Sequence, residues 1–331
     1  MNIITQPQLV GWLDSLAKER PLIAPRIVAG VLLYRPVKNS DEIAWGSTRP
    51  LISVKDALFP PTERLLTIEK VGQEVKLTET FPEGNPVIFG VRPCDARGMQ
   101  VLDALFIDTE PIDPYYARRR ENTTLIGLAC REMKPSCFCT SVGGAPDDTT
   151  GVDIFLTEVA GGFVLQVLTE KGEALLYGLS LAGFYGELPK PSYNQPLARV
   201  ERDAWPAHFN DEYWEKMSER CLSCRICAYV CPTCRCFAVR DEALPAPGQF
   251  ERIRCWDSCA GENYRLTAGG HRPRAEKGER LRNRFMCKFY YYPEQYGLNQ
   301  TVACTGCGRC VDACPVNVDI TEVLAELGRQ S

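Results

Sequence analysis

The sequence lacks the short motifs by which many enzymes bind a nucleotide or carry a catalytic base. No G-x-G-x-x-G follows a predicted strand and no Walker loop is present, so no turn has a phosphate-binding signature. The two histidines, His208 and His271, lie near a predicted linker and in a basic segment, where surface or capping roles are more common than acid–base catalysis. We therefore name no catalytic residue and expect no flavin in this chain.

Long apolar runs are also missing. The most apolar stretches, 27–34 and 175–185, are far shorter than the roughly 20 residues that cross a bilayer. The first twenty residues read as an amphipathic helix rather than as a signal peptide. A net charge of -4 gives no reason to expect nucleic acid. We therefore expect a cytoplasmic protein with no direct membrane insertion and no nucleic-acid partner.

Cysteine is the residue in excess, with 17 among 331 residues. Disulfide scaffolds of secreted proteins are usually small and follow a signal peptide, so these cysteines indicate metal binding instead. Eight of them form two runs, CLSCRICAYVCP and CTGCGRCVDACP, and both runs read C-x2-C-x2-C-x3-C-P. Three thiols at this spacing can hold three corners of an iron-sulfur cubane.

The two runs predict two [4Fe-4S] clusters, because in two-cluster ferredoxins the fourth cysteine of each run ligates the other cluster. The first group of ligands is then Cys221, Cys224, Cys227 and Cys314. The second group is Cys304, Cys307, Cys310 and Cys231. Zinc is the alternative, but zinc ribbons use two separated C-x2-C pairs rather than a run of four followed by proline. Iron-sulfur clusters are therefore the preferred interpretation.

The pattern divides the chain at about residue 200. Residues 1–200 alternate short apolar strands with helices, as at 86–91 and 123–129, which predicts an α+β or α/β domain. The proline-rich segment 188–206 is the predicted linker. We expect 201–331 to be a mostly α-helical ferredoxin-like domain, because about seventy residues separate the two runs and exceed a compact β-hairpin ferredoxin.

A third group of cysteines lies in the N-terminal part and follows predicted strands. Its members are Cys94, Cys130, Cys137 and Cys139. If the ends of neighbouring strands bring them together, they form a further all-thiolate site suited to an iron-sulfur cluster or to zinc. Buried free thiols are the alternative, since unpaired cysteine packs as a small hydrophobe. The spacing alone leaves the two interpretations equal.

The segment between the two runs is basic, with seven Lys or Arg against two Glu over residues 272–288. Such a run usually forms a solvated helix face. A second role is that its cations favour the reduced state of nearby anionic clusters or attract an acidic partner. We expect packing or supporting roles, not ligation, for the remaining cysteines, which are Cys234, Cys236, Cys255, Cys259 and Cys287.

Several segments together resemble one family of 4Fe-4S dicluster proteins. They are GVRPCDARGMQVLD, CFCTSVGG, CLSCRICAYVCPTCRCF, the WDSC to ERLRNR stretch, and ACTGCGRCVDACP. The chain resembles the A subunit of anaerobic sulfite reductase and the beta subunit of sulfhydrogenases, and related iron-sulfur subunits of heterodisulfide reductase-type complexes. The resemblance implies that the third group matches the family's N-terminal cysteines, and it favours a third [4Fe-4S] cluster there.

The resemblance also implies a function. Such a chain is an electron-transfer subunit that relays electrons between a flavin- and NAD(P)-binding reductase subunit and a terminal redox subunit of hydrogenase, sulfite reductase or heterodisulfide reductase type. Two other interpretations stay open: a reductase with its own substrate site, and a docking subunit whose third group holds structural zinc. The absence of a flavin or phosphate motif favours the relay.

Overall fold

The computed structural model describes residues 1–46, 49–197, 200–298 and 302–330. Its strands are β1 Asn2–Thr5, β2 Leu22–Val28, β3 Val31–Val37, β4 Thr62–Val71, β5 Glu74–Glu79, β6 Val87–Val91, β7 Thr124–Leu128, β8 Ile154–Val159, β9 Gly162–Val167, β10 Ala182–Gly183, β11 Phe237–Ala243 and β12 Gln249–Trp256. Its α-helices are α1 Gln6–Glu19, α2 Lys55–Leu58, α3 Pro93–Phe106, α4 Pro114–Asn122, α5 Glu170–Leu175, α6 Tyr213–Glu219, α7 Ile226–Tyr229, α8 Lys277–Met286, α9 Tyr292–Gln295, α10 Arg309–Asp312 and α11 Ile320–Gln330.

The first of two sheets forms the centre of the N-terminal part. Its strand order is β10-β1-β9-β8-β7-β6-β2-β3, with β2, β6, β7 and β8 parallel and antiparallel strands at both edges. Successive residues of a strand point to opposite faces. Accordingly, Phe89 and Ile126 pack in the core that contains α1, whereas Ile88 and Leu125 pack in the core that contains α3. The sheet is therefore mixed and is covered on both faces.

The N-terminal helix forms as its sequence predicts. Thr5 and Gln8 make a reciprocal capping box, which satisfies two backbone amides at the start of α1. The apolar face predicted for this helix is buried, and it consists of Leu9, Trp12, Leu13 and Leu16. The predicted strands at 86–91 and 123–129 are confirmed as β6 and β7. Strands β8 and β9 form a hairpin that turns at Gly161.

The prediction that 201–331 is mostly α-helical is wrong. Residues 237–256 form the antiparallel hairpin β11–β12, and this hairpin extends a four-stranded sheet of order β11-β12-β4-β5. Two strands of that sheet come from each side of residue 200. The sequence pattern changes at about residue 200, but one sheet contains strands from both sides of that point. That 1–200 and 201–331 are separate domains stays a prediction.

A buried ion-pair network joins the hairpin to the N-terminal part. Arg254 on β12 contacts Glu63 on β4 at 2.5 Å, and it also pairs with Asp113, which caps α4. Arg119 of α4 pairs with Glu63 from the other side. Because Arg254 and Glu63 are only 2% and 5% exposed, each charge depends on its partners.

A further core lies around α6, α8 and α11, and Phe138 and Val142 of the N-terminal part belong to it. It includes Trp205 stacked on Phe289 at 4.8 Å, and Trp214 stacked on Phe285 at 5.9 Å. Within the predicted linker, the residues that the structure describes before 202 have no helix and no strand beyond short turns, and 198 and 199 lie outside the described residues. None of the described helices is both long enough and apolar enough to cross a bilayer.

Candidate metal centres

The two cysteine runs adopt the same backbone conformation. In each run the residue before the second cysteine and the residue after it have a positive φ: Ser223 and Arg225 at 53° and 67°, Gly306 and Gly308 at 62° and 71°. A one-turn helix follows in both, α7 in the first run and α10 in the second. The repeat seen in the sequence is thus also a repeat of backbone structure.

The structure brings the second group together as the spacing predicts. Cys304, Cys307 and Cys310 line one small cavity, and Cys231 from the first run lines it with them. In the first group, burial raises the pKa of Cys227, and the neighbouring thiols of Cys221 and Cys224 raise it further. Cys314 lies near Arg220 and accepts a hydrogen bond from the Val318 amide at 3.1 Å.

Buried thiols dominate the second group, whereas in the first group Cys224 is exposed and the other three thiols are half-buried. Burial raises the pKa of Cys304 to about 12 and that of Cys310 to about 11. A thiolate in such a place is favoured only when positive charge, such as that of iron, binds it. Backbone amides that donate to sulfur, at Ser223 to Cys221 over 3.4 Å for example, add the supporting hydrogen bonds that tune metal centres.

The third group also converges on one place. Cys94 begins α3 directly after β6, and Cys130 follows β7, so both stand at the carboxyl edge of neighbouring parallel strands. Cys137 and Cys139 join them as lining residues of a cavity of about 450 Å³. Burial raises the pKa of Cys139 to about 12. The four thiols thus fit an all-thiolate ligand set, and their ligation stays a prediction.

The second and third groups share a wall. Cys307 lines the third group's cavity, and the Cys137 thiol lies 3.7 Å from the carbonyl oxygen of Cys307. Gly306 and Gly308 allow this contact, because a Cβ on either would lie 2.5 Å or less from the backbone of residues 136–139. The matching residues of the first run carry side chains, so glycine is needed only where the two parts meet.

Cations of the basic segment lie beside the thiols, as one of the two interpretations of that segment proposed, but their burial was not predicted. From α8 and the π-helical turn Cys287–Tyr291, the side chains of Arg284 and Lys288 point inward and are 3% and 4% exposed. The Lys288 ammonium lies 3.0 Å from the sulfur of Cys231. Burial alone would lower the pKa of Lys288, but neighbouring thiols outweigh it and raise that pKa well above its usual value. This side of the helix is therefore not a solvated face, and it places cations beside thiols, as the second role considered for the segment requires.

Arg309 is a further buried cation that sequence reasoning missed. It follows Gly308 in the second run and makes a two-pronged ion pair with Asp95, with distances of 2.6 and 2.8 Å. Asp95 also accepts a hydrogen bond from the Tyr34 hydroxyl at 3.2 Å. Asp95 follows Cys94, so this pair fixes the third group against the second. The R-P-C-D segment at 92–95 and the G-R-C segment at 308–310 are both visible in the sequence, but the sequence does not show that they are in contact.

No three histidine, cysteine or carboxylate side chains among the described residues are placed to hold a metal ion together. We therefore define each thiol group by the cavity that its members line or by their effects on one another's pKa. What fits an iron-sulfur cluster is the donor set, four cysteines in each group with no histidine, together with buried cations nearby.

Comparison with known proteins agrees with this geometry. Residues 220–318 match the family model of the 4Fe-4S dicluster domain. The chain is 33% identical over 307 residues to sulfhydrogenase 2 subunit beta of Pyrococcus furiosus, covering 89% of this chain and 88% of that protein. The chain belongs to the sulfhydrogenase beta-subunit family. It is thus an iron-sulfur protein of the electron-transfer type, and no solved structure matches it.

Proposed function

We propose that this chain is the electron-transfer subunit of a cytoplasmic multi-subunit oxidoreductase. It would relay electrons between a flavin- and NAD(P)-binding reductase subunit and a terminal redox subunit of hydrogenase, sulfite reductase or heterodisulfide reductase type. The similarity to a sulfhydrogenase subunit supports membership of such a complex. The first and second groups would each hold one [4Fe-4S] cluster, and the third group would hold a third.

The observation that carries this proposal is the continuity of the thiol groups. The second group shares Cys231 with the first run and Cys307 with the cavity of the third group. Bound clusters supply one-electron acceptors and donors. The chain's own residues hold them close together, exclude water with the core around Phe138 and Phe289, and place buried cations beside them. A relay needs no substrate pocket beyond this.

The test is anaerobic quantification of iron, sulfide and zinc per chain, with EPR spectroscopy of the dithionite-reduced protein. A Cys94→Ser, Cys137→Ser double variant should lose about four irons relative to wild type and keep the signals of the other clusters. Cys255→Ser is the matched control, because the Cys255 thiol faces Thr62 on the hairpin sheet at 3.7 Å and should lose none.

Two results would contradict the proposal. An unchanged iron content in the double variant would show that the third group holds no cluster. Stoichiometric zinc without iron in the wild type would support a docking subunit instead. A third measurement addresses catalysis: the isolated chain, once reduced, should pass electrons to a flavoprotein but turn over no sulfite, proton or disulfide substrate alone.

A further inference from the structure

Four of the cysteines outside the three groups lie together. We call them the fourth group, and they are Cys234, Cys236, Cys259 and Cys287. The Cys259 thiol lowers the pKa of Cys236, and the thiols of Cys236, Cys234 and Cys287 raise the pKa of Cys259, so the four act on one another. The Arg235 guanidinium donates to the sulfur of Cys287 at 3.3 Å. Three segments of the chain thus bring four thiols to one place.

The backbone around this group is irregular where a core is usually regular. Between Trp256 and Lys277 the described chain has only turns, yet Ser258 is fully buried and Cys259 is 7% exposed. Loops are normally on the surface, because a buried loop leaves backbone polar groups to satisfy. Cys287 in turn begins a π-helical turn, a rare conformation that often marks functional sites. Ligation would explain why both segments turn inward.

Buried positive charge also converges on the fourth group. The Lys288 ammonium lies 3.5 Å from the sulfur of Cys234, and the Lys55 ammonium lies 3.1 Å from its carbonyl oxygen. Lys55 is 1% exposed and stands 3.7 Å from the centre of the Trp256 ring. Two lysines buried beside neutral thiols would be costly, whereas thiolates that bind a cluster provide the negative charge that they need.

The composition of the fourth group matches that of the third. Each has one C-x-C pair, C-F-C in the third and C-R-C in the fourth, together with two single cysteines from other segments. Four groups of four account for sixteen of the 17 cysteines and leave Cys255, which lies on the hairpin and faces Thr62. This regularity is not expected of thiols that serve only as packing residues.

We propose that a further [4Fe-4S] cluster is bound here by four thiolates, those of Cys234, Cys236, Cys259 and Cys287. Its neighbour is the second group, because one ammonium, that of Lys288, lies 3.0 Å from the sulfur of Cys231 and 3.5 Å from that of Cys234. This adjacency favours iron-sulfur over structural zinc, since a cluster here extends the electron path toward the hairpin sheet. The site is additional to the proposed relay, and the relay holds without it.

The experiment compares metal content in anaerobically prepared full-length protein. A Cys236→Ser, Cys259→Ser double variant should lose about four irons and four sulfides relative to wild type, while Cys255→Ser loses none. The EPR spectrum of the reduced variant should keep the signals of the first three groups. An unchanged iron content, or the loss of one zinc ion in place of iron, would overturn the proposal.

A second measurement decides the matter even if that variant does not fold. In the Cys94→Ser, Cys137→Ser variant, the first and second groups alone would retain about eight irons, and a cluster in the fourth group would raise the count to about twelve. About eight irons would overturn the fourth site and leave the relay intact. Wild-type protein with zinc and no iron would instead refute the relay itself, so the two failures are distinguishable.

Discussion

Replacing Lys288 with methionine should make the reduction potential of a neighbouring cluster more negative. The ammonium lies 3.0 Å from the Cys231 sulfur and is 4% exposed, so water screens it little. The raised pKa of Lys288 keeps it charged at neutral pH. A cation at this place stabilises the reduced cluster, which carries one more negative charge than the oxidised cluster. Methionine removes the charge and keeps an unbranched side chain of similar length.

The magnitude follows from Coulomb's law. The charge of a cluster is spread beyond the ligating sulfur. We therefore take twice the 3.0 Å contact between the Lys288 ammonium and the Cys231 sulfur, about 6 Å, as the separation between the ammonium and the centre of the cluster's charge. At an effective dielectric constant of about 20, a unit charge then contributes roughly 3 kcal/mol. For a one-electron couple this corresponds to a shift on the order of 100 mV.

The assay is a potentiometric titration followed by EPR spectroscopy, on samples whose iron content equals that of wild type. Lys277→Met is the matched control, because it removes one lysine from the same helical segment at an exposed position and should shift no couple measurably. A Lys288→Met protein with full iron content and unchanged potentials, or with a couple shifted to more positive values, would refute the reasoning.

Two further substitutions test the contact between the second and third groups. Gly308→Ala should lower the apparent melting temperature by several degrees, because its Cβ would lie 2.3 Å from the Ser136 carbonyl oxygen at a φ of 71°. The control is Arg225→Ala, at the matching position of the first run, which should change the melting temperature little. Equal melting temperatures of the two variants would show that the contact at Gly308 is not tight. Arg309→Met should leave Asp95 buried and unpaired, at a cost of about 3–5 kcal/mol and on the order of 10 °C by circular dichroism. Adding Asp95→Asn should recover part of that loss, and strictly additive effects would refute a direct pair.

Sequence periodicity predicted the elements whose burial is decided locally. The apolar face of α1 and the fully apolar strands β6 and β7 are examples, because each contains enough buried residues to determine its own conformation. The strand ends that carry Cys94 and Cys130 follow directly. Their convergence was predictable for the same reason, since parallel neighbouring strands end at one edge.

The hairpin β11–β12 was not predictable in this way. Its first strand, FAVRDEA, is almost entirely exposed and contains three charged residues, which gives a weak strand signal. What stabilises the hairpin is pairing of β12 with β4, about 190 residues earlier in the chain, and the burial of Arg254 between Glu63 and Asp113. Partners this distant leave no periodic trace in the sequence.

The orientation of the basic helix could not be predicted for a related reason. Counting charges over 272–288 correctly gave a positive segment, but a count does not say which side chains face inward. Arg284 and Lys288 are buried because thiols from both cysteine runs lie under them. Burial of these two charges is favourable only because the fold brings the thiols of both cysteine runs next to them.

The wall shared by the second and third groups has a consequence for the order in which the protein matures. Gly306 and Cys307 line a cavity whose other walls come from residues made much earlier during synthesis, and Arg309 of the same segment pairs with Asp95. Until they arrive, Asp95 has no arginine and the N-terminal thiols face solvent. A ribosome-bound chain that ends before residue 304 would therefore leave these thiols open to oxidation, and a cluster as proposed for the third group would gain the protection of this wall only after residues 306–309 have been made.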